Sequence, residues 1–363
     1  MIRDSERISR TQYLALCFTA LLSPLIRQLP RFCPAVAGRG AWLAGFFALP
    51  VLLLFEAMMS RLTAHRAEGE GMGEIFLRVW GKSCGKILLA AYALWMLAYA
   101  AFVILGGGRR LAETAYPRGG EKLFLLVMGA LALLPALGKA RSLCRMANVL
   151  RPLLLAAVLL VLLFALPGMK PGSLLPLTGK DVLPAGKAGL RTANVLLLLG
   201  AFRFLEGFVP PAPKKDFRRF SLLLGGTALL GSALLAVLLG VFGVDYTLGQ
   251  AHPFFALAKN LRLAGLLERV EPLVIGLWVL TDFLLISALL QSAGAIFRLV
   301  LKTESRVPRV ISAALVTALA LAAAVFKMPT AFFAERFFPV SGAVIAFGLY
   351  PATFVLGLVR KKI

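Results

Sequence analysis

Four ionisable side chains lie inside otherwise apolar stretches of the sequence: Arg27, Arg203, Glu206 and Asp282. An ionisable group at the centre of a membrane helix costs about 2.5–3.5 kcal/mol on the insertion scale, so each one needs a partner or a function. Their formal charges cancel, and Arg203 and Glu206, three residues apart, share one face of a helix. The set could form a structural ion-pair network, contact a zwitterionic ligand or relay a proton.

Two charged residues are interpreted as lying near a membrane surface. Arg27 is the closest of the four to the end of its apolar stretch, and its long side chain is expected to reach the interface. Glu56 stands shortly before Arg61 near the end of another apolar stretch, and we predict that it is interfacial.

The sequence offers no set of residues for catalysis. Its two histidines, His65 and His252, are too few and too far apart for a usual metal site. Its four cysteines show neither metal-binding spacing nor a disulfide pattern, and we expect free thiols. We therefore predict a protein that is not an enzyme and has no metal or cofactor.

The elements that must position these charges are predicted to be membrane-spanning helices. Of the 363 residues, 60% are hydrophobic, and the mean hydropathy is +0.85, more apolar surface than a soluble domain can bury. Each span needs about 20 mostly apolar residues. Residues 1–363 are predicted to form one all-α integral membrane domain with spans at residues 12–30, 41–62, 85–106, 122–137, 148–167, 190–209, 220–244, 271–297, 309–327 and 337–359.

The net charge of +23 indicates membrane topology rather than nucleic-acid binding. The Lys and Arg residues stand in short blocks between apolar runs. More than half of the 40 fall on the side of the membrane where the N-terminus is predicted to lie. Because cytoplasmic loops carry the excess of positive charge, both termini are predicted to be cytoplasmic. The expected surroundings are a lipid bilayer, with anionic head groups favoured by the basic loops.

Ten spans divide into five plus five, over residues 1–167 and 190–359. Span 1 is predicted to break at Ser23-Pro24, and span 6 carries Gly200 and ends at Pro210-Pro211. Interrupted helices at corresponding positions of two halves indicate a binding site near the midplane. Small residues repeat every four positions in span 7, which predicts close helix packing. Outside the spans we expect a short amphipathic helix over residues 72–80 and a helical patch over residues 254–267.

Several short motifs occur one after another along the chain. They are Ile8-Ser9-x-x-Gln12 before span 1; Ala37-Gly38-Arg39-Gly40-Ala41-Trp42 before span 2; Trp80-Gly81-Lys82-x-x-Gly85-Lys86 before span 3; Arg109-x-x-x-Glu113 after it; Phe208-Val209-Pro210 with Lys214-Lys215 after span 6; Glu268-Arg269-Val270-Glu271 and Trp278 at span 8; and Arg360-Lys361-Lys362 at the end. In these motifs the chain resembles the B subunit of spore-germination receptors, the GerAB-type spore permeases of the amino acid–polyamine–organocation superfamily. The resemblance covers nearly the whole length, with Gly40 in place of an acid.

The resemblance implies a LeuT-like inverted repeat with broken helices 1 and 6. It implies a subunit that sits in the spore inner membrane beside A and C subunits and recognises a small germinant, chiefly an amino acid. The pocket would be lined by spans 1, 3, 6 and 8, whose candidate ligand-binding residues are Ser23, Pro24, Tyr99, Gly200, Arg203, Glu206 and Asp282. The family often has a glycine-rich break in span 1, where this chain has Ser23-Pro24, and its span 6 acid is shifted, with Glu206 as a possible counterpart.

Three hypotheses for function follow. The first is a germinant-sensing membrane subunit. The second is a proton-coupled amino-acid permease in which Asp282 or Glu206 carries the proton. The third is a purely structural partner subunit whose pocket is plugged by Arg27 and Arg203.

Overall fold

The computed structural model describes residues 7–114, 120–260, 271–303 and 305–362, without the side chains of residues 213 and 214. The described residues are almost entirely helical and contain no strand. The last segment, residues 330–359, is one helical stretch that widens twice into π-helical turns, at Phe333–Phe337 and Val344–Leu349. In chain order the α-helices are α1 Arg10–Ala37, α2 Ala44–Leu62, α3 Met72–Trp80, α4 Lys82–Thr114, α5 Glu121–Leu137, α6 Ala140–Ala165, α7 Gly179–Leu196, α8 Leu199–Phe202, α9 Pro213–Gly249, α10 Pro253–Lys259, α11 Glu271–Leu301, α12 Val307–Val325, α13 Thr330–Phe332, α14 Phe338–Ala343 and α15 Tyr350–Val359.

Every predicted span coincides with helix. Eight helical segments of the described chain are long and apolar enough to cross a membrane. One of them, Arg10–Leu62, contains two predicted spans, and α5 adds a tenth helix that is only 17 residues long. Large apolar side chains such as Leu54 and Val149 are about three-quarters exposed on the outside of the bundle, as a lipid-facing surface requires.

Helix α1 runs without a break through the predicted interruption. It begins at the N-cap Ser9, whose hydroxyl accepts a hydrogen bond from the Gln12 amide, and it remains helical through Ser23 and Pro24. The expected gap in span 1 is therefore wrong. Proline lacks an N–H, so Pro24 removes one internal hydrogen bond, yet surrounding helices bury α1 on most sides and hold its course.

The interruption of span 6 is confirmed. Helix α7 ends at Leu196, a two-residue turn follows, and after the short α8 the chain tightens into a 3₁₀ helix at Arg203–Phe208. All four residues from Arg203 to Glu206 are buried. The tight turn therefore places an arginine and a glutamate inside the protein rather than at its surface.

Small residues let α9 approach its neighbours closely, as predicted. A Cβ on Gly231 would meet Leu25 and Leu29 of α1 at 3.0 Å or less, and one on Gly240 would meet Met169 at 2.7 Å. At the start of α2, the Gly45 amide donates a 3.0 Å hydrogen bond to the Ser232 hydroxyl. This hydroxyl satisfies one of the N–H groups that a helix start leaves without a partner.

Helix α4 continues beyond its predicted end. The predicted span ends at residue 106, but the glycines at positions 106–108 lie inside α4, which reaches Thr114. A Cβ on Gly107 would come within 3.1 Å of Asp282 and Met128, so glycine leaves the room that the Asp282 carboxylate occupies. The extra two turns bring Arg110 into the interior.

The two predicted elements outside the spans are partly confirmed. Helix α3 forms over residues 72–80, but its apolar side faces protein, with Phe76 packed 6.0 Å from the rings of Phe204 and Tyr350. Of the expected helical patch at residues 254–267, α10 covers Pro253–Lys259. Residues 261–267 of that patch and the motif Glu268-Arg269-Val270 lie outside the described residues.

Candidate functional site

Asp282 joins three helices in the interior of the bundle. Its Oδ1 accepts a hydrogen bond from the Ser23 hydroxyl of α1, and its Oδ2 is ion-paired with Arg110 of α4. The Arg110 guanidinium also lies 5.6 Å from the centroid of the Trp278 ring, one turn before Asp282 on α11. The side chains of Arg110 and Asp282 are 6% and 3% exposed. We call Ser23, Arg110 and Asp282 the Asp282 cluster.

A second polar group lies beside this cluster. The Gln28 amide donates a 2.9 Å hydrogen bond to the Tyr99 hydroxyl, and the Arg27 guanidinium carbon lies 5.3 Å from the centroid of the Phe102 ring. All three Arg27 nitrogens are buried, and none makes a hydrogen bond to the described residues. The Tyr99 hydroxyl lies close enough to the guanidinium to interact with it, but it is neutral and supplies no counter-charge. The expectation that Arg27 reaches the membrane interface is therefore wrong.

Aromatic rings form the wall opposite Arg27. Trp95, Tyr99 and Phe102 follow one another along α4, and the first two rings stack at 5.5 Å. Phe338 of α14 packs against Tyr99 at 4.9 Å and against Phe102 at 5.0 Å. Such rings offer a rigid apolar surface to a bound group.

The crevice at the Asp282 cluster is closed in this structure. It is lined by Gly107, Arg110, Leu111, Met128, Trp278, Val279 and Asp282 and has no room for a water-sized molecule. A separate open cavity of about 300 Å³ is lined by Arg31, one turn after Arg27 on α1, and by residues 247–251. A ligand can enter the crevice only if the groups that line it move apart.

Arg203 is the centre of a second charged group in the interior, where it pairs with two carboxylates. It is ion-paired with Glu56 of α2 and, at 2.5 Å, with Glu206 in its own 3₁₀ turn. The guanidinium carbon lies 3.6 Å from the centroid of the Phe220 ring. The Glu56 side chain is fully buried, so its predicted interfacial position is wrong. We call Glu56, Arg203 and Glu206 the Arg203 cluster.

Backbone contacts hold the Arg203 cluster in place. Arg66 donates hydrogen bonds to the carbonyl of Glu206 at 2.7 Å and of Val209 at 3.0 Å, and the Tyr13 hydroxyl donates to the Phe202 carbonyl at 3.0 Å. These donors add side-chain hydrogen bonds to backbone carbonyls of the irregular span 6. The cluster is thus tied to α1, α2 and the loop before α3.

The structure divides the seven predicted ligand-binding residues between two places. Ser23 and Asp282 meet directly, with Pro24 beside Ser23 in α1 and Tyr99 near Arg27. Arg203 and Glu206 belong to the Arg203 cluster. The Gly200 carbonyl accepts a 2.7 Å hydrogen bond from Tyr350, whose ring fills the space beside this glycine. No hydrogen bond or ion pair between described residues joins the two clusters.

Sequence reasoning missed two members of these clusters. The predicted span 3 ends at residue 106, which leaves Arg110 outside the membrane. Glu56 was assigned to the interface because Arg61 follows it. A usable signal existed for Arg110, since glycines within a long apolar helix often mark a close approach of another element.

Most of the chain matches a known protein family. A family model described as "Spore germination protein", the spore permease family, matches residues 7–331. The chain belongs to the spore germination protein family. No individually curated protein matches the chain significantly. The family and the apolar helices together identify an integral, multi-pass membrane protein.

The fold of this family member is that of a LeuT-like transporter. A sodium-coupled sialic acid symporter, solved in a substrate-bound, outward-open state, superposes with a TM-score of 0.55 at 11% identity, over 98% of this chain and 77% of the symporter. At that identity the match concerns the fold alone. Family and fold are those of permeases and transporters, not of enzymes.

Proposed function

We propose that this spore germination protein binds a small germinant, such as an amino acid, at the Asp282 cluster and signals germination through a change in helix packing. The observation that carries the proposal is that Ser23, Arg110 and Asp282 tie three different helices together in the interior. An ionisable residue inside a membrane bundle is by default a candidate for a binding or transport site. In the predicted orientation this cluster lies in the outer half.

The closed crevice gives the signal a physical form. A ligand can shift a conformational equilibrium only by binding one state more tightly than the other. Because α1, α4 and α11 meet at Asp282, a ligand that enters the crevice must move these helices apart. The altered packing would then be sensed by partners, the A and C subunits of a germinant receptor in the spore inner membrane.

Thermal stability of the detergent-purified protein tests the proposal. At 100 times its dissociation constant a ligand adds about 2.7 kcal/mol of stability. We expect one or more members of an amino-acid panel to raise the melting temperature of the wild-type protein. Ser23→Ala, which keeps the Arg110–Asp282 ion pair, should fold and weaken that shift. Asp245→Asn, which neutralises an exposed carboxylate on α9, should leave it unchanged.

The same experiment separates sensing at this site from a purely structural role. If no amino acid shifts the melting temperature of well-folded protein, the proposal is wrong, and recognition belongs to a partner subunit. The two clusters would then serve to hold the bundle together.

A second candidate function, proton-coupled amino-acid permease, is favoured by the Arg203 cluster. Glu56 and Glu206 share one guanidinium, and each has one buried oxygen without a hydrogen-bond donor among the described residues. A proton on either carboxylate would remove the repulsion between them. Uptake of a labelled amino acid into proteoliposomes under a pH gradient is the test. Lack of uptake by protein that still binds the amino acid would exclude the permease and leave the sensor.

A further inference from the structure

Among the described residues, no carboxylate forms an ion pair with the buried guanidinium of Arg27. Its Nε, Nη1 and Nη2 are all buried, and no described residue accepts a hydrogen bond from them. Burying an unpaired charge is costly, and proteins normally pair such a group. The cation–π contact with Phe102, at 5.3 Å, offsets only part of this cost.

The buried carboxylate that lies beside the same helix, Asp282, is already engaged by other groups. Asp282 is paired with Arg110 and accepts the hydrogen bond of Ser23. A Cβ on Gly106 would lie 3.5 Å from Nη1 of Arg110 and equally far from Nη1 of Arg27, so the two guanidinium groups approach the same side of α4. Two guanidinium groups therefore lie close to one buried aspartate among the described residues, whereas Glu113, which also acts on Arg110, is 58% exposed.

We propose that Arg27 is the anion-binding residue of the ligand site and takes the carboxylate of a small organic acid or amino acid. This inference rests on the proposed function, because it names the chemical group that the site recognises. A guanidinium presents parallel N–H donors that match the two oxygens of a carboxylate. A bound carboxylate would give two of the three buried nitrogens an acceptor and supply a counter-charge to the guanidinium.

The surroundings of Arg27 set the shape of the rest of the ligand. The Tyr99 hydroxyl and the Gln28 amide are the polar groups beside the guanidinium, and the rings of Phe102 and Phe338 form the wall. This combination fits a monocarboxylate with a short apolar remainder. The open cavity is lined by Arg31, one helical turn after Arg27 on α1, and offers a route by which a ligand could approach Arg27.

Matched acids and amides test the assignment. Full-length protein in detergent is titrated with L-alanine, L-valine and L-leucine and with their amides, which keep the amine and side chain but lack the carboxylate. We expect the amides to need about 10- to 100-fold higher concentrations than the acids for the same rise in melting temperature, as the loss of charge-assisted hydrogen bonds implies. Sodium chloride alone should not reproduce the shift.

The variant Arg27→Gln separates ligand binding from a structural role. Because it removes an unpaired buried charge, it should raise the melting temperature of the ligand-free protein and abolish the preference for acids. Arg61→Gln, a matched change at an exposed position of α2, should keep that preference.

Each contrary result has a definite meaning. Equal protection by acids and amides, an Arg27→Gln protein that melts lower or still prefers acids, or full protection by chloride would overturn the role of Arg27 while leaving the proposed function intact. If neither acids nor amides protect the wild-type protein, both proposals fall together.

Discussion

Ser23 and Asp282 are 259 positions apart in the chain, and the hydroxyl of one donates a hydrogen bond to the carboxylate of the other inside the bundle. The same carboxylate is ion-paired with Arg110, so α1, α4 and α11 depend on one another at this point. Any movement of one of these helices must break or carry along a buried polar contact. This coupling makes the cluster suitable for converting ligand binding into a change of packing.

We expect Asp282→Asn to destabilise the protein by about 3–5 kcal/mol, because it leaves Arg110 buried without its counter-charge. Ser23→Ala removes only one hydrogen bond to a charged group and should cost about 1.5–3 kcal/mol. Denaturant unfolding in detergent measures both, with Asp245→Asn as the control. A smaller loss for Asp282→Asn than for Ser23→Ala would mean that the ion pair contributes little.

Arg203→Gln should also cost about 3–5 kcal/mol, because it leaves two carboxylates buried side by side. Adding Glu56→Gln and Glu206→Gln to that variant should recover much of the loss, since the triple variant has no buried charge in the cluster. Unfolding free energies of the single and triple variants provide the comparison. A triple variant as unstable as Arg203→Gln alone would show that hydrogen bonding or shape, not charge, governs the cluster.

Gly45→Ala and Gly226→Ala form a matched pair for helix packing. A Cβ on Gly45 would collide with the Ala228 carbonyl and the Ser232 hydroxyl, whereas a Cβ on Gly226 would meet nothing within 4 Å. Overpacking typically costs about 1–3 kcal/mol, while alanine at an open helical site can stabilise by about 0.4–1 kcal/mol. Melting temperatures should therefore move in opposite directions. Similar shifts for the two variants would contradict the close contact between α2 and α9.

His252 makes the stability of the loop before α10 depend on pH. Burial lowers the pKa of the His252 imidazole, and the positive charges of Arg110 and Arg31 lower it further. The Glu113 carboxylate, 2.9 Å away, favours the charged form and opposes them, but the net shift of the pKa is downward. The folded protein thus binds this proton less readily than the unfolded chain does. The contribution of neutral His252 to the free energy of unfolding is present above about pH 6.5. It is lost as the pH falls toward the lower folded-state pKa.

Melting temperatures between pH 8 and pH 5, values chosen to lie about one and a half units on either side of the ordinary histidine pKa, give the measurement. His252→Asn should flatten the decline on the acid side, and His65→Asn, at an exposed position, should not. An unchanged profile in His252→Asn would assign the decline to other groups.

Cys84 reports the orientation of the chain. It is exposed near the start of α4, whereas Cys17, Cys33 and Cys144 are buried. If both termini are cytoplasmic, a membrane-impermeant maleimide should label wild-type protein in inside-out vesicles but not in right-side-out vesicles. Cys84→Ser should remove the label. Labelling only in right-side-out vesicles would reverse the proposed topology.

The helical membrane fold follows from the sequence alone, because hydropathy is a local property: a run of apolar residues is visible without knowing its neighbours. The small residues of α9 and the interruption of span 6 were predictable for the same reason. Arg203 and Glu206, three residues apart, could also be paired from spacing.

Tertiary structure alone decided which charges meet over long separations and which helices continue. Glu56 reaches Arg203 and Arg110 reaches Asp282 across more than 140 residues, and no local pattern encodes such a contact. The same neighbours keep α1 helical through Pro24 and α4 helical through its glycines, because burial on several sides outweighs a local weakness in hydrogen bonding. Only the packed structure shows that the buried guanidinium of Arg27 has no ion-pair partner among the described residues.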